Sequence, residues 1–499
     1  MSKLEKNLRF NINGESVCLT NLSPTMTLLE YLRQSGRIGT KEGCGDGDCG
    51  ACTVAIIAKA ADGKCHYQAV NSCLIPLGSV AGKEVITVEG VGKGKLHPVQ
   101  EAMVKTGGSQ CGYCTPGFIM SMFAAYYNGK VDDISVEGNL CRCTGYLPIR
   151  RAAQLVTKEI SHQIPDDNFT NHLANQLRNQ LGISDRSSDE VLTSRDQSPT
   201  TTPDTTPINY SSDNQEFYRP TNLQAVLNLL QQHPQAILLA GGTDLGLEMS
   251  HHRQEFPVVI SLEAVKELQK IRENPEFVEI GAGVTLTHME ENLRGLFPSL
   301  DKMLYWFAAR QIRNRATLGG NIATASPIGD LAPVLLSLDA RLKLVSQGGK
   351  RIIPLMNFFK AYRQTDLQPG EVIASIIIPH YKKIAPNAVS CFNQSYKVGK
   401  RGTDDIAIVS AAFTIYIDKN NQIIHARLAY GGVAATTVRA VKVEKMLMGK
   451  PWNMTTILEA KKILKNTFIP LTDFRGSANY RILLVVNLWE KFFVEMADG

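Results

Sequence analysis

The chain has 499 residues, of which 43% are hydrophobic and 20% charged, and its formal net charge is +6 at pH 7. This length predicts three or four domains, and the composition is typical of a globular protein. No basic stripe, signal-like segment or run of about twenty apolar residues is present. Nucleic-acid binding, secretion and membrane insertion are therefore not indicated, and we expect a cytoplasmic location.

The first segment predicts a small α+β domain over residues 1–92. Leu8, Phe10 and Ile12 alternate with polar residues before the turn pair Asn13-Gly14, which predicts a β-hairpin. A short helix is expected over residues 26–35, and further strands are expected over residues 53–57 and 85–88.

The first cysteine set lies in this domain. Cys44, Cys49 and Cys52 have the spacing C-x4-C-x2-C, and Cys73 follows further along. This pattern is typical of plant-type [2Fe–2S] clusters, and the glycines among these cysteines allow the backbone to wrap closely around such a cluster. Zinc is the alternative, although its ligands more usually come as two C-x2-C pairs. Residues 45–50 also fit G-x-G-x-x-G, but they lack the preceding strand and following helix that a dinucleotide site needs.

Residues 93–165 predict a compact helical domain, in which Pro116 and Pro148 occupy first-turn positions. It contains a second cysteine set, with Cys111 and Cys114 as C-x2-C and Cys141 and Cys143 as C-x-C. Four thiolates suit a four-coordinate metal centre. A thioredoxin-like pair or a zinc site would also explain parts of this pattern, but the neighbouring first set favours a second [2Fe–2S] cluster.

The remaining chain predicts a linker and two further domains. Residues 166–216 are expected to form a flexible linker, because the part from 183 onward is rich in Ser, Thr, Asp and Pro. Residues 217–385 alternate between helical and strand patterns, with Thr221 as a helix cap and a buried strand over 236–240. Residues 386–499 predict strands over 406–417 and 423–430, followed by two helical stretches.

Several other residues carry open interpretations. Arg310, Arg313 and Arg315 could form an ordinary basic helix face or could help to hold phosphates. Cys18, Cys65 and Cys391 have no partners at metal-ligand spacing, and we expect all three to be small buried hydrophobic residues.

Five segments resemble the xanthine dehydrogenase family, which includes aldehyde oxidases and carbon monoxide dehydrogenases. In chain order they are EGCGDGDCGAC, QCGYCTPG, LCRCTGY, LLAGGTDL and RATLGGNIATASPIGDLAPVL. The resemblance covers about residues 5–165 and 217–495. It implies a β-grasp ferredoxin-like domain, a helical-bundle [2Fe–2S] domain, an α+β FAD-binding domain and a C-terminal α/β lobe.

The resemblance also implies the cofactor contacts. The Gly241-Gly242-Thr243 turn after a buried strand could offer N–H groups and a hydroxyl to a pyrophosphate, and Thr317 to Asn321 could offer a second close backbone approach. Gln110 matches a glutamine that touches the pterin cofactor in the family. Ile373 and Phe307 could equally be core residues, and Lys397 could be a solvated surface lysine. The implied FAD contacts are Leu238, Leu239, Ala240, Gly241, Gly242, Thr243, Asp244, Leu245, Phe307, Thr317, Leu318, Gly319, Gly320, Asn321, Thr324, Ser326, Asp330, Ile373 and Lys397.

By the same resemblance, electrons from a molybdenum centre would pass through the second cluster and then the first to FAD and NAD⁺, as in oxidation of hypoxanthine and xanthine. The family's molybdopterin-binding part has no counterpart before Gly499. We therefore expect a small subunit that joins a large molybdopterin-binding subunit, in a heterotetramer of two small and two large subunits. No catalytic residue for hydroxylation is expected in this chain. The alternatives are a subunit of another molybdenum hydroxylase, acting on aldehydes, N-heterocycles or carbon monoxide, and a stand-alone iron–sulfur flavin carrier.

Overall fold

The computed structural model describes residues 4–59, 65–92, 94–160, 167–173 and 206–497. The chain folds as two units. The first comprises Met1–Val226, Gln235–Ala264 and Ala309–Ala316, and the second comprises Leu227–Pro234, Val265–Ala308 and Thr317–Gly499. Within the described ranges, no helix is both long and apolar enough to cross a membrane.

The first unit begins with a five-stranded sheet of order β2-β1-β5-β3-β4, in which β1 and β5 are parallel. The predicted hairpin is confirmed, since Leu8 pairs with Leu19 and the turn residues Asn13 and Gly14 both have positive φ, as a tight hairpin turn requires. The fifth strand ends at Ile86, two residues earlier than predicted, because a short helix begins at Val88. The elements of this part are β1 (Asn7–Ile12), β2 (Glu15–Thr20), α1 (Leu28–Gln34), β3 (Thr53–Lys59), β4 (Cys65–Asn71), a 3₁₀ turn (Ser72–Leu74), α2 (Leu77–Val80), β5 (Glu84–Ile86) and α3 (Val88–Val91).

A helical part follows, as predicted. Pro116 lies in the first turn of its helix, where its missing N–H costs nothing. Residues 168–173 are also helical, and Phe169 packs among the aromatic rings of Tyr67, Phe123 and Tyr127. The helices are α4 (Pro98–Thr106), α5 (Thr115–Tyr127), α6 (Asp133–Val136) and α7 (Leu147–Ile160).

The linker prediction was wrong at its carboxyl end and at residues 167–173. Residues from 206 onward form an antiparallel hairpin whose second strand pairs in parallel with a later strand. Tyr210, inside the predicted linker, is 1% exposed, and its hydroxyl donates to the Leu22 carbonyl at 2.7 Å. The average composition of the predicted linker is polar, and it therefore gave no sign that single aromatic residues within it are buried. Residues 161–166 and 174–205 of the predicted linker region lie outside the described ranges.

The rest of the first unit completes a four-stranded sheet of order β6-β7-β9-β8. The helix predicted to be capped by Thr221 is capped instead by Asn222, whose Oδ1 accepts a hydrogen bond from the Ala225 amide. The elements are β6 (Ile208–Ser211), β7 (Glu216–Arg219), α8 (Leu223–Gln232, which runs on into the second unit), β8 (Ile237–Leu239), α9 (Leu245–Ser250), β9 (Val258–Ser261) and, after an excursion into the second unit, α12 (Arg310–Arg313).

The second unit contains an antiparallel sheet of order β10-β11-β16-β12-β13 and the small hairpin β14-β15. The strands are β10 (Ile271–Glu273), β11 (Phe277–Gly281), β12 (Arg341–Ser346), β13 (Gly349–Pro354), β14 (Phe359–Ala361), β15 (Gln364–Thr365) and β16 (Val372–Pro379). The helices are α10 (Leu286–Leu293), α11 (Pro298–Trp306), α13 (Leu318–Ala323), α14 (Leu331–Ser337) and α15 (Tyr381–Ile384), with 3₁₀ turns at Lys266–Gln269 and Leu355–Asn357.

The C-terminal lobe of this unit is a four-stranded antiparallel sheet covered by helices. The predicted strand over 406–417 begins three residues later, and the strand before it, together with one of three helices, was missed. That strand, SCFNQSYKV, is mostly polar and gives no clear alternation. The elements are β17 (Ser390–Val398), β18 (Val409–Ile417), β19 (Ile423–Gly431), β20 (Val438–Arg439), α16 (Val441–Leu447), α17 (Met454–Leu464) and α18 (Ala478–Ala497).

The three cysteines outside the two sets differ in burial. Cys65 is buried as expected, but Cys18 and Cys391 are exposed. Cys18 lies on the outward side of the edge strand β2, so its burial was predicted wrongly.

Glu84 in β5 is a buried carboxyl, 2% exposed, and burial raises its pKa to about 7 although the Gly14 amide donates to its Oε1 at 2.8 Å. Its proton is therefore released in the folded state at higher pH than in the unfolded chain, and stability falls as pH rises from about 4.5 through 7. We expect Glu84→Gln, which keeps the acceptor, to be about 2 kcal/mol more stable than wild type at pH 8 in urea denaturation.

At pH 4 the Glu84→Gln variant and the wild type should unfold at similar urea concentrations, because Glu84 is then mostly protonated in both states. The matched control is Glu276→Gln, which alters an ion pair that is about 60% exposed on both sides and should change stability by roughly 0.5 kcal/mol. A stability difference for Glu84→Gln that is the same at both pH values would contradict the buried-carboxyl interpretation.

Candidate functional site

The first cysteine set lies as two pairs. The Cys44 amide donates to the sulfur of Cys49 at 3.3 Å, and the Cys49 amide donates back to the sulfur of Cys44 at 3.2 Å. The sulfurs of Cys52 and Cys73 are 3.3 Å apart in a largely apolar surrounding. The hydrogen bond between the Cys44 and Cys49 thiols lowers the pKa of Cys49 to about 6 and raises that of Cys44.

The second set is also paired. The Cys111 thiol hydrogen-bonds that of Cys143, and the Cys114 thiol hydrogen-bonds that of Cys141. The hydroxyl of Thr144 donates to the sulfur of Cys141 at 3.1 Å. Cys141 is buried, whereas Cys111 and Cys143 are exposed, so this site reaches the surface of its unit.

This arrangement fits two-iron clusters. In the part of the chain that the structure describes, no three His, Cys, Asp or Glu side chains have the geometry of a metal-ion site. The thiols instead form two pairs in each set, as expected where each of two irons takes two thiolates. In a zinc site, all four thiolates of a set would instead surround a single ion.

Glycines and an asparagine shape the first loop. A Cβ on Gly43 would lie 2.6 Å from the sulfur of Cys49, and Gly47 has a φ of +90°. The Asn71 side chain donates to the Gly47 carbonyl at 2.6 Å and so fixes the turn. Asn71 was missed by the sequence analysis, since nothing local distinguishes it from other polar residues.

The two cysteine loops are joined by three hydrogen bonds. The Leu140 amide donates to the Cys49 carbonyl at 2.9 Å, and the Asn139 side chain donates to the Gly50 carbonyl at 2.9 Å. The Tyr113 hydroxyl donates to the carbonyl of Glu42. The two sites therefore touch through backbone groups next to their cysteines.

The first stretch expected to bind FAD, residues 238–245, runs from the end of β8 to the start of α9 in the first unit. Gly242 has a φ of +79°, and a Cβ on Gly241 would overlap the carbonyl of Arg315. Among the described residues, none of the hydrogen bonds is donated by the backbone amides of Gly241, Gly242 or Thr243. The predicted role of these amides in binding a pyrophosphate stays a prediction, and no backbone hydrogen bond within the described ranges competes with it.

A buried charge cluster lies beside this stretch. Glu263 accepts from Lys83 at 3.0 Å and forms ion pairs with Arg219 at 3.4 Å and Arg315 at 3.1 Å. Burial alone would raise the pKa of Glu263, but the three cations lower it to about 2. Arg313 similarly pairs with Glu137 at 2.8 Å. The side chains of Arg313 and Arg315 are 2% and 12% exposed, so the interpretation as an ordinary basic helix face was wrong for both, whereas a role in holding phosphates stays a prediction.

The second stretch begins at Thr317 in the second unit. Its hydroxyl caps α13 by accepting from the Gly320 amide at 3.1 Å. The amides of Leu318 and Gly319 bond to Val284 and Ala282, so the close backbone approach predicted here is made with the protein itself. The side-chain oxygen Oδ1 of Asn321 is buried and has no hydrogen-bond partner among the residues that the structure describes.

Asp330 and Lys397 are brought together in the second unit. Their side chains are 7% and 4% exposed and form an ion pair of 2.8 Å. Lys397 also donates to the Trp306 carbonyl at 3.0 Å, so the surface-lysine alternative was wrong. Burial raises the pKa of Asp330 although Lys397 opposes it, and one oxygen of Asp330 has no partner within the described part of the chain. Unpartnered buried oxygens at Asn321 and Asp330 fit a bound polar group.

The other residues expected to contact the cofactors lie at separate positions in the fold. Ile373 is buried in β16 opposite Leu344, and Phe307, directly after α11, is half-buried. Thr324 donates to the Gly320 carbonyl at 3.1 Å, and Ser326 is half-buried. Gln110 is exposed in the loop before Cys111.

Replacing Lys397 by methionine should leave the Asp330 carboxyl buried without its cation. We expect a loss of about 3–5 kcal/mol in stability and a reduced FAD content of the purified protein. The control Lys383→Met removes an ion pair that is about 60% exposed and should cost less than about 1 kcal/mol with FAD content unchanged. Wild-type FAD content in Lys397→Met would argue against a role for this pair at the flavin.

Four family models match the chain in order. They are the 2Fe-2S iron–sulfur cluster binding domain (residues 10–77), the [2Fe-2S] binding domain (87–154), the FAD binding domain in molybdopterin dehydrogenase (211–381) and the CO dehydrogenase flavoprotein C-terminal domain (394–496). Together they bear out the multidomain fold class predicted from the sequence.

Two proteins with similar sequences are both named xanthine dehydrogenase. Xanthine dehydrogenase of Drosophila pseudoobscura pseudoobscura is 36% identical over 98% of this chain and 39% of its own length. Xanthine dehydrogenase of Emericella nidulans is 35% identical over 97% of this chain and 38% of its own length. The chain thus spans about two fifths of these relatives.

Solved structures of related enzymes match part of the chain. A chain of carbon monoxide dehydrogenase from Hydrogenophaga pseudoflava matches with a TM-score of 0.52 and 27% identity, over 56% of this chain and 95% of its own. Quinoline 2-oxidoreductase from Pseudomonas putida 86 matches with a TM-score of 0.50 and 26% identity, over 56% of this chain and 96% of its own. The chain is therefore homologous to the N-terminal iron–sulfur and FAD part of xanthine dehydrogenases, and its domains are those of the electron-transfer region of molybdenum hydroxylases.

Proposed function

We propose that this chain passes electrons from a molybdenum centre on a partner chain, through two [2Fe–2S] clusters, to FAD and on to NAD⁺ during oxidation of hypoxanthine and xanthine. The observation that carries this proposal is the direct joining of the two cysteine loops by hydrogen bonds from Leu140, Asn139 and Tyr113. Two redox sites whose ligand loops touch are arranged for electron exchange.

The eight paired cysteines are the proposed cluster ligands. Cys44 and Cys49 would hold one iron of the first cluster, and Cys52 and Cys73 the other. In the second cluster the thiols of Cys111 and Cys143, and those of Cys114 and Cys141, would act in the same way. Amide and hydroxyl donors to these sulfurs, such as Thr144, would tune the potentials.

The proposed flavin contacts are residues 238–245, Phe307, the stretch from Thr317 to Asp330, Ile373 and Lys397. The unbonded amides of Gly241 to Thr243 suit the pyrophosphate, and the unpartnered oxygens of Asn321 and Asp330 suit polar groups of the cofactor. When bound, a flavin exchanges single electrons on one side and a hydride with a nicotinamide on the other.

We propose that the partner is a large molybdopterin-binding subunit, with two copies of each chain in the assembly and Gln110 near the pterin. The exposure of Cys111, Cys143 and Gln110 supports a partner at the second cysteine site. In the carbon monoxide dehydrogenase structure, one chain corresponds over 95% of its length to only 56% of this chain, so homologous domains are distributed differently among polypeptides.

The test uses the complex purified from its native host. We expect a molybdopterin-bearing partner to copurify, and xanthine to reduce the flavin with NAD⁺ as acceptor. Cys111→Ser should abolish flavin reduction by xanthine while NADH still reduces the flavin. Normal flavin reduction by xanthine in this variant would refute the proposed route. Reduction by an aldehyde or by an N-heterocycle such as quinoline, but not by xanthine, would reassign the substrate, and the absence of any partner would favour a stand-alone carrier.

A further inference from the structure

The segment Ala309–Ala316 contains α12 and lies inside the match to the FAD-binding family, yet it folds with the cysteine-bearing domains in the first unit. It is buried but mostly polar, with Gln311, Arg313 and Asn314 at 1%, 2% and 7% exposure. Buried polar side chains are normally held by specific hydrogen bonds. The partners of these residues therefore show what the segment positions.

Gln311 reaches both cysteine loops through one asparagine. Its Nε2 donates to Asn139 Oδ1 and to Ser121 Oγ, each at 3.0 Å. The Nδ2 of Asn139 donates in turn to the Gly50 carbonyl at 2.9 Å. Asn139 lies two residues before Cys141, and Gly50 lies between Cys49 and Cys52, so this relay of two amides connects one cysteine loop to the other.

The contact is close on the backbone side as well. A Cβ on Gly138 would overlap Gln311 Oε1 and would lie 2.5 Å from the Cβ of Ala309. Arg313 pairs with Glu137 in the same loop at 2.8 Å. The loop that leads to Cys141 is thus held against α12 over three consecutive residues.

The rest of the segment fixes α12 itself. Asn314 donates to the Ala69 carbonyl of β4 at 2.9 Å, and Ile312 packs in the apolar cluster that contains Cys52, Cys73 and Leu74. An apolar helix would fill the same space without selecting one arrangement, whereas a buried amide network fixes a single geometry.

We propose that Gln311 is a positioning residue for electron exchange between the two cysteine sites, because it holds Asn139 in the rotamer that ties the Cys141 loop to Gly50. This inference rests on the proposed function. Electron transfer slows steeply with distance between the redox centres, so a loop that drifts apart by a fraction of an ångström lowers the rate. Side chains that hold a functional geometry from outside the site act in this way.

The test compares Gln311→Met with Asn393→Leu in the full-length protein. Both changes replace a buried amide by an apolar side chain of similar size, and Asn393, which donates to Thr414 at 2.7 Å, lies in β17 of the second unit. The measurements are iron, sulfide and FAD content, the magnetic interaction between the two clusters in the EPR spectrum of dithionite-reduced protein, and the rate of flavin reduction by xanthine in the assembled complex.

We expect Gln311→Met to keep its iron, to weaken the magnetic interaction and to slow flavin reduction by roughly tenfold or more. Gln311→Glu keeps the side-chain length, but an ionised carboxylate donates no hydrogen bond, so this variant should show the same effect. It decides the question if the methionine variant loses iron. Asn139→Ala should reproduce the effect and add nothing to it in the double variant. Wild-type magnetic interaction in the Gln311 variants, or an equal loss in Asn393→Leu, would overturn the proposal. Wild-type protein without two cluster signals would instead refute the proposed function.

Discussion

Replacing Cys52 by serine is expected to remove one two-iron centre and leave the other intact. Cys52 is 2% exposed, and its sulfur lies 3.3 Å from that of Cys73. Serine oxygen is a much poorer iron ligand than a thiolate, so the first cluster should fail to assemble while the paired thiols of the second set remain. Iron and acid-labile sulfide should fall from about four atoms each per chain to about two, and one of two EPR signals should disappear.

The control for this experiment is Cys65→Ala. Cys65 is also buried, but it lies in β4 outside both paired sets. Truncating it should cost about 1 kcal/mol of packing and leave the iron content unchanged. Complete loss of both signals in Cys52→Ser, with Cys65→Ala normal, would show that the second site cannot assemble without the first. Unchanged iron in Cys52→Ser would remove the first cysteine set from consideration as a cluster site.

The cysteine sets could be found from the sequence because their spacing is local and metal ligation restricts it strongly. The hairpin at Asn13-Gly14 and the helix beginning near Pro116 were found for the same reason, since their signals lie within a few neighbouring residues. The pairing of thiols between segments was not visible, because Cys52 and Cys73 meet only through the fold.

The residues that surround the sites could not be found in this way. Gln311 and Asn139 are 172 positions apart, and Arg313 and Glu137 are 176 apart. A single sequence contains no signal that two such distant polar residues meet. Nothing in the sequence therefore indicates that Arg313 and Arg315 each form an ion pair with a distant carboxylate rather than a solvated basic face.

The linker shows a different failure. Composition averaged over a window predicts a linker wherever Ser and Thr are abundant, but it does not register a few aromatic residues that the fold buries. Tyr210 is 1% exposed and its hydroxyl donates to the Leu22 carbonyl, and Phe169 packs among the rings of Tyr67, Phe123 and Tyr127. Tertiary burial of two rings thus overrides a polar local composition.

The point where the two cysteine loops meet leads to the second large prediction, for Gly50→Ala. Gly50 has a φ of +67°, and an added Cβ would overlap the Gly138 carbonyl oxygen and lie 2.5 Å from Asn139 Nδ2. The Gly138 loop cannot withdraw, because Gln311 and Ala309 lie directly behind it. Both the left-handed backbone and the contact between loops are therefore strained at once, and we expect a loss of more than about 3 kcal/mol together with lowered iron at both sites.

Gly36→Ala separates these two causes. Gly36 has a similar φ of +82°, but nothing lies within 4 Å of the position its Cβ would take. This variant should therefore show the backbone cost alone, about 1 kcal/mol in urea denaturation, with two normal cluster signals. The excess loss in Gly50→Ala then measures the contact between the loops. Equal losses in the two variants would mean that the loops can separate freely, and the proposed electron route would lose its structural basis.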